Sequence, residues 1–94
     1  MPELTALDRY LTDHRQQFED DLCELLRIPS ISADRNYAGD IRRAADWVAG
    51  RLRRLGLATE LIETEGHPLV YAESPPVPGA PTVLVYGHYD VQPA

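Results

Sequence analysis

The chain has 94 residues and a formal net charge of −6 at pH 7, because fifteen acidic side chains face only nine cationic ones. This acidic balance argues against a general nucleic-acid-binding protein, which normally carries a basic face, and no stretch approaches the ~18 apolar residues of a membrane span. The first residues lack the charged-then-apolar pattern of a secretory signal, so we expect a folded cytoplasmic chain that binds neither nucleic acid nor membrane.

A long amphipathic helix is predicted from Pro2 to Arg27 or Ile28. Its apolar side chains recur at intervals of three and four residues, which aligns them along one stripe of a helix. Pro29 disfavours helical geometry in the residue before it and therefore ends the helix. The stripe consists of Leu4, Leu7, Leu11, His14, Phe18, Leu22 and Leu25.

A second helix is predicted from about Asp40 to Leu55. Asp40 can cap its start, the arginines near its end suit the negative pole of the helix dipole, and Gly56 ends it. One face is apolar and the opposite face carries charged side chains. The apolar face consists of Ile41, Ala44, Ala45, Val48, Leu52 and Leu55.

The pattern after Gly56 is typical of strands. Residues 57–63 and 69–73 predict an antiparallel hairpin with its turn at 65–68. A proline-rich connection over residues 74–81 follows, and it leads into Thr82–Tyr86, which is apolar on both faces. Such a run predicts a central strand of a sheet that is covered on both sides.

The predicted order is therefore helix, helix, hairpin and buried central strand. A strand buried on both faces needs strand neighbours and covering helices, and the other predicted elements supply few of these. We therefore expect residues 1–94 to form the front part of a larger α/β domain.

His88 and Asp90 form a His-x-Asp pair at the carboxyl end of this predicted strand. Alternate residues of an extended backbone point to the same side, and open α/β sheets bind ligands beyond the carboxyl ends of their strands. A carboxylate two residues from a metal-binding histidine is well placed to accept the proton of its other ring nitrogen. Residues 61–94 carry no cationic side chain, which suits a bound cation. A solvated acidic surface with an ordinary His and Asp fits the same spacing.

The residues around this pair closely resemble the first metal motif of a family of di-zinc peptidases and deacylases. Its members include acetylornithine deacetylase, succinyl-diaminopimelate desuccinylase, aminoacylase and carnosinase. The resemblance is carried by residues 83–94 (Val-Leu-Val-Tyr-Gly-His-Tyr-Asp-Val-Gln-Pro-Ala), by the loop at residues 27–32 and by the second helix with its Leu-Gly ending. Gln92 and Pro93 resemble the dipeptidase and carnosinase-like branch.

The resemblance implies that His88 ligates one zinc ion and that Asp90 is the catalytic-site carboxylate that orients His88. It implies a three-layer α/β/α catalytic domain with a mixed sheet, of which residues 1–94 are the amino-terminal part. The other metal ligands, the glutamate base and a lid and dimerisation domain would lie beyond Ala94. The implied activity is zinc-dependent hydrolysis of amide bonds in dipeptides or N-acyl amino acids by a homodimer. A complete domain would hold a pair of zinc ions, with cobalt or manganese as alternative metals.

A second interpretation is a folded, self-associating fragment or scaffold without activity, since an open sheet edge can pair with another copy. We expect the chain alone to be inactive and to bind zinc poorly, because hydrolytic zinc sites take about three protein ligands and only His88 is available. His14 is interpreted as a packed or edge residue of the helix stripe and His67 as a solvated turn residue. Neither is expected near the strand's carboxyl end.

Overall fold

The computed structural model describes residues 2–94, with side chains from residue 5 onward. It is a mixed α and β structure, as the sequence predicts, although it contains no layered sheet within these residues. Its elements are α1 (Pro2–Asp13), α2 (Arg15–Leu26), α3 (Ala38–Arg54) and the strands β1 (Ala58–Ile62) and β2 (Leu69–Glu73).

The predicted first helix is divided into α1 and α2 at His14. The backbone of His14 departs from helical geometry, with φ −106° and ψ 9°, and its Nδ1 donates a 2.8 Å hydrogen bond to the carbonyl of Tyr10. The backbone bonds from His14 to Tyr10 and from Phe18 to His14, both 3.0 Å long, remain in place, so the interruption is local. The helix ends at Leu26, one residue before the predicted Arg27, with Pro29 following it as expected.

The apolar stripe of α1 and α2 faces solvent. Leu7, Leu11, Phe18 and Leu22 are 42–55% exposed, and α2 has no buried residue in the described part of the chain. From the sequence, His14 is interpreted as a packed or edge residue. Its ring is exposed, and it stacks on the ring of Tyr10. The predicted member Leu4 lies outside the described side chains. None of the described helices combines the length and apolarity that a bilayer crossing requires.

The α3 helix carries the core. Its buried apolar residues are Ile41, Ala44, Ala45 and Ala49, which lie on the face that packs against the hairpin. The predicted members Val48 and Leu52 are half-buried, whereas Leu55 is exposed. A 3-10 helix, Arg35–Tyr37, precedes α3. Small alanine side chains let helix and sheet approach closely, although they contribute little apolar area each.

Gly56 ends α3 as predicted. Its φ is +86°, a region that costs other residues strain. The amide of Gly56 donates to Arg53 at 2.9 Å and that of Leu57 donates to Leu52 at 3.2 Å. These are the paired bonds of a Schellman motif, which satisfy the last carbonyls of the helix.

The predicted hairpin is confirmed. β1 and β2 are antiparallel, with Ala58 opposite Glu73 and Ile62 opposite Leu69. Every second residue of each strand is half-buried, consistent with one face toward α3 and one toward solvent.

The predicted central strand at Thr82–Tyr86, with neighbours in one chain or between chains, is not formed within the described residues. Residues 82–86 form no regular element, and Val83, Leu84, Val85 and Tyr86 are 80–88% exposed. A strand needs hydrogen-bonded neighbours and a covering layer to repay the cost of ordering it. The described residues supply neither along this run, so its apolar sequence alone does not produce a strand.

Candidate metal-binding site

The segment that carries His88 is held in place by the loop after α2. Ile31 and Val91 form an isolated parallel bridge, in which the amide of Val91 donates to the carbonyl of Ser30 at 2.9 Å. The hydroxyl of Ser30, which is only 1% exposed, donates to the carbonyl of Tyr89 at 2.9 Å. Residues 30–32 therefore fix the backbone of residues 89–91.

Asp90 lies between a histidine and a serine. Its Oδ1 is 3.2 Å from Nδ1 of His88, and its Oδ2 accepts a 2.6 Å hydrogen bond from the hydroxyl of Ser32. The bond from Ser32 and, to a lesser extent, the contact with His88 lower the pKa of Asp90 below its ordinary value. Asp90 is therefore an anion that accepts hydrogen bonds on both oxygens.

These residues line a cavity of about 330 Å³ between the hairpin turn and the His88 segment. The side chain of His88 is 73% exposed, and its ring meets that of Tyr86 edge-on, with centroids 5.6 Å apart. The lining residues are Ser32, Ile41, His67, Pro68, Leu69, Tyr86, Gly87, His88, Tyr89 and Asp90.

His67 lies at this cavity, contrary to the expectation that it would be remote from the site. It is exposed, as a turn residue should be, but the hairpin turn folds back onto the loop after α2. There the Nε2 of His67 donates to the carbonyl of Ser32 at 3.1 Å. The position of His67 depends on how the hairpin packs, and the local sequence Gly-His-Pro does not reveal that packing.

Tyr89 joins the hairpin to the same segment. Its hydroxyl donates a 2.6 Å hydrogen bond to the carbonyl of the buried Pro68. Burial of the phenol raises its pKa above the ordinary tyrosine value. Tyr89 is therefore a neutral hydrogen-bond donor that closes one side of the cavity.

The chemistry of His88 fits a metal ligand. Its Nδ1 faces a carboxylate, and within the described part of the chain no hydrogen bond occupies its Nε2. This is the arrangement in which a carboxylate fixes the ring and leaves the other nitrogen to a metal. However, no three His, Cys, Asp or Glu side chains among the described residues are grouped to hold an ion. His88 thus fits as one ligand of a site that these residues do not complete.

Sequence comparison gives the relatives of the chain. It is 34% identical over 91 residues to the cysteinylglycine-S-conjugate dipeptidase of Corynebacterium striatum. The chain is similar to Cys-Gly dipeptidases. The Cys-Gly metallodipeptidase dug1 of Schizosaccharomyces pombe is 30% identical over 101 residues, and DUG1 of Candida albicans is 32% identical over 93. These relatives support the dipeptidase branch that the motif resembles.

The matches cover nearly all of this chain but little of each relative. They include 96% of the chain against the Corynebacterium striatum protein and 97% against the Schizosaccharomyces pombe protein. The chain spans about a fifth of the length of these curated relatives. No family model matches the chain, and no solved structure matches it.

Ser30, Ser32 and His67 are the site residues that sequence reasoning missed. Ser30 and Ser32 were visible only as part of the loop that resembles the peptidase family. Their two-residue spacing equals that of His88 and Asp90, and Ile31, between the two serines, forms with Val91, directly after Asp90, the bridge that joins the two segments. That shared spacing is the signal that could have paired the two segments.

Proposed function

We propose that this chain forms the amino-terminal part of the catalytic domain of a metal-dependent dipeptidase, in which His88 is a metal ligand and Asp90 orients it. The observation that carries the proposal is the contact between Nδ1 of His88 and Oδ1 of Asp90, at 3.2 Å, beside a cavity of about 330 Å³. The similarity to proteins named Cys-Gly dipeptidases supports a dipeptide as the substrate class.

The roles of this chain's residues follow from their positions. Asp90 accepts the Nδ1 proton of His88, which leaves the Nε2 lone pair free to bind an ion. Tyr89 and Pro68 are hydrogen-bonded to each other and form one side of the cavity. When bound, a divalent metal ion supplies a Lewis acid to amide hydrolysis. Zinc is the metal that the family resemblance implies, with cobalt and manganese as alternatives because one imidazole does not select among them.

The remaining ligands and the general base belong, in this proposal, to residues outside the present sequence. This assignment is consistent with the described residues, among which no three His, Cys, Asp or Glu side chains are grouped to hold an ion, and with relatives that are about five times longer. The chain by itself is then inactive and binds zinc weakly.

A chimera tests the proposal. Residues 1–94 replace the matching segment of the Corynebacterium striatum dipeptidase, and hydrolysis of a cysteinylglycine S-conjugate and metal content are measured. We expect the chimera to hydrolyse the conjugate, and His88→Ala to abolish turnover and reduce bound metal. His14→Ala, which removes a histidine far from the site, is the matched control. If the full exchange gives insoluble protein, exchange of residues 82–94 alone provides the same comparison. Retained turnover in the His88→Ala chimera would refute the assignment.

The exposed run at residues 82–86 favours a second candidate, a self-associating scaffold without catalytic function. Large contiguous apolar patches on a protein surface commonly mark interaction sites. A chain that forms stable oligomers, together with a chimera that stays folded but inactive, would favour this alternative.

A further inference from the structure

The carboxylate of Asp90 has a different donor on each oxygen. Ser32 donates to Oδ2 at 2.6 Å, and Nδ1 of His88 lies 3.2 Å from Oδ1, where it donates when it carries the ring proton. The shorter bond belongs to the serine, and hydrogen bonds to an ionised acceptor are stronger than neutral ones. The two oxygens of an ionised carboxylate are equivalent, so the bond from Ser32 fixes the plane of the carboxylate: a partial rotation about the Cβ–Cγ bond would break both contacts.

Ser32 is itself held in position by its backbone. Its carbonyl accepts the 3.1 Å bond from His67, and the preceding segment is paired to residues 89–91 through Ser30 and Val91. The hydroxyl of Ser32 therefore approaches Asp90 from a backbone that is fixed on both sides. Within the described part of the chain, the side chain of His88 contacts Asp90 and the ring of Tyr86, and it is 73% exposed.

An exposed imidazole depends on its partners for a single protonation pattern. A neutral histidine carries its proton on either ring nitrogen, and the hydrogen bond at one nitrogen decides which. The ring of His88 is 73% exposed, so it is also open to hydrogen bonds with solvent. A carboxylate that is free to rotate would hold the proton on Nδ1 less consistently than one that Ser32 has fixed.

We propose that Ser32 is a positioning residue: it fixes the Asp90 carboxylate so that the His88 proton stays on Nδ1 and the Nε2 lone pair is available to a metal. The inference rests on the proposed function in naming the metal, and it adds a residue from a loop 58 positions away in sequence. Ser30 has a different role, because its hydroxyl holds the backbone of Tyr89 rather than the carboxylate.

The experiment uses the 94-residue chain labelled with ¹⁵N at histidine, without metal, at a pH where His88 is neutral. Long-range ¹H–¹⁵N spectra report which ring nitrogen carries the proton. We expect His88 to hold it mainly on Nδ1 in the unmodified chain and to carry a clearly larger fraction on Nε2 in Ser32→Ala. Ser32→Thr retains the hydroxyl and should restore the original pattern. An unchanged pattern in Ser32→Ala would overturn the proposal.

Ser30→Ala is the structural control. It removes the hydrogen bond that holds the backbone of Tyr89 but leaves the bond from Ser32 to Asp90. We therefore expect the His88 proton to be distributed over the two ring nitrogens as in the unmodified chain. A change as large as that in Ser32→Ala would show that packing of the segment sets the pattern, and would also overturn the proposal. If Ser32→Ala does not fold, Ser32→Cys replaces it, because a thiol is a weak donor of similar size.

The test of Ser32 can fail without the proposed function failing, and the reverse is also true. The spectra require neither metal nor activity, so they measure the effect of Ser32 directly. Retained turnover in the His88→Ala chimera would refute the metal assignment whatever the spectra show. An unchanged pattern in Ser32→Ala would refute only the role of Ser32.

Discussion

The phenol of Tyr89 donates a 2.6 Å hydrogen bond to the backbone carbonyl of Pro68, and this contact attaches the hairpin turn to the segment that carries His88. Pro68 is buried and Tyr89 half-buried, so water does not freely replace the bond. The two residues hold together parts of the chain that belong to different elements.

Tyr89→Phe is therefore expected to lower the free energy of unfolding by about 1 kcal/mol, the usual net value of such a hydrogen bond. Denaturant titration of the chain measures the change. Tyr71→Phe is the control, since the exposed hydroxyl of Tyr71 donates only to the exposed Glu73 and should change stability little. Equal effects of the two substitutions would contradict the assigned role of Tyr89.

Asp90→Asn is expected to reduce turnover of the chimera by ~10–100-fold, the usual cost of removing the partner of a metal-binding histidine. The loss should be smaller than that caused by His88→Ala, because the ligand itself remains. Steady-state kinetics and metal analysis on both variants make the comparison. Asp8→Asn, on the exposed face of α1, should leave both quantities unchanged, and an Asp90→Asn chimera with normal turnover would contradict the prediction.

The ion pair between Arg42 and Glu63 predicts a loss of stability in acid. The two terminal guanidinium nitrogens of Arg42 each lie 2.6 Å from a carboxylate oxygen of Glu63. The bond from Arg42 lowers the pKa of Glu63, so the folded chain binds this proton less readily than the unfolded chain does. Its contribution is then present above the ordinary glutamate pKa and lost as the pH falls through the lowered value.

Unfolding of the unmodified chain and of Glu63→Gln, measured between neutral and acid pH, tests this prediction. The unmodified chain should be more stable at neutral pH, and the two curves should converge in acid. The difference is small because both side chains are exposed, and added salt should reduce it. A difference that is independent of pH would contradict the role of the ion pair.

Two glycines of the α3 region are expected to respond oppositely to alanine. Gly56 has φ +86°, and a Cβ there would meet no atom within 4 Å, so the cost of Gly56→Ala is backbone strain of about 1 kcal/mol. Gly50 lies inside α3 with equally open space, and Gly50→Ala should stabilise the chain by ~0.5–1 kcal/mol through helix propensity. Thermal unfolding of both variants shows whether each substitution raises or lowers stability. Destabilisation by Gly50→Ala as well as by Gly56→Ala would contradict the prediction for Gly50.

The exposed run at residues 82–86 is expected to cause self-association. Val83, Leu84, Val85 and Tyr86 place apolar side chains in water, and burial between two copies would remove them from it. Sedimentation at increasing concentration should show oligomers, and Val85→Asp should reduce them. Val77→Asp changes an exposed valine outside the run and serves as control. A chain that stays monomeric at every concentration tested would contradict the prediction.

Local sequence predicts the elements whose stabilising contacts are local. The apolar face that begins at Ile41, the glycine at the end of α3 and the turn between β1 and β2 each specify their structure within a few residues. Thr82–Tyr86 shows the opposite case, because β-branched composition favours a strand only where neighbouring strands and covering helices exist.

The site was predictable only in part for the same reason. The two-residue spacing of His88 and Asp90 places them together whenever the backbone is extended. The contact of Ser32 with Asp90 and the position of His67 depend on how the loop after α2 and the hairpin turn pack together. The roles of His88 as a metal ligand and of Asp90 as its partner stay predictions, since neither spacing nor packing identifies an ion.

The pairing of the loop after α2 with the His88 segment also governs when the site forms. Ser30 and Tyr89 are 59 residues apart and Ser32 and Asp90 are 58, so their contacts close a long loop at a considerable entropic cost. Helix α3 and the hairpin rest on short-range contacts, which form fastest. Because synthesis proceeds from the amino end, the two serines leave the ribosome long before their partners. We therefore expect the contacts of the His88 site to form after α3 and the hairpin.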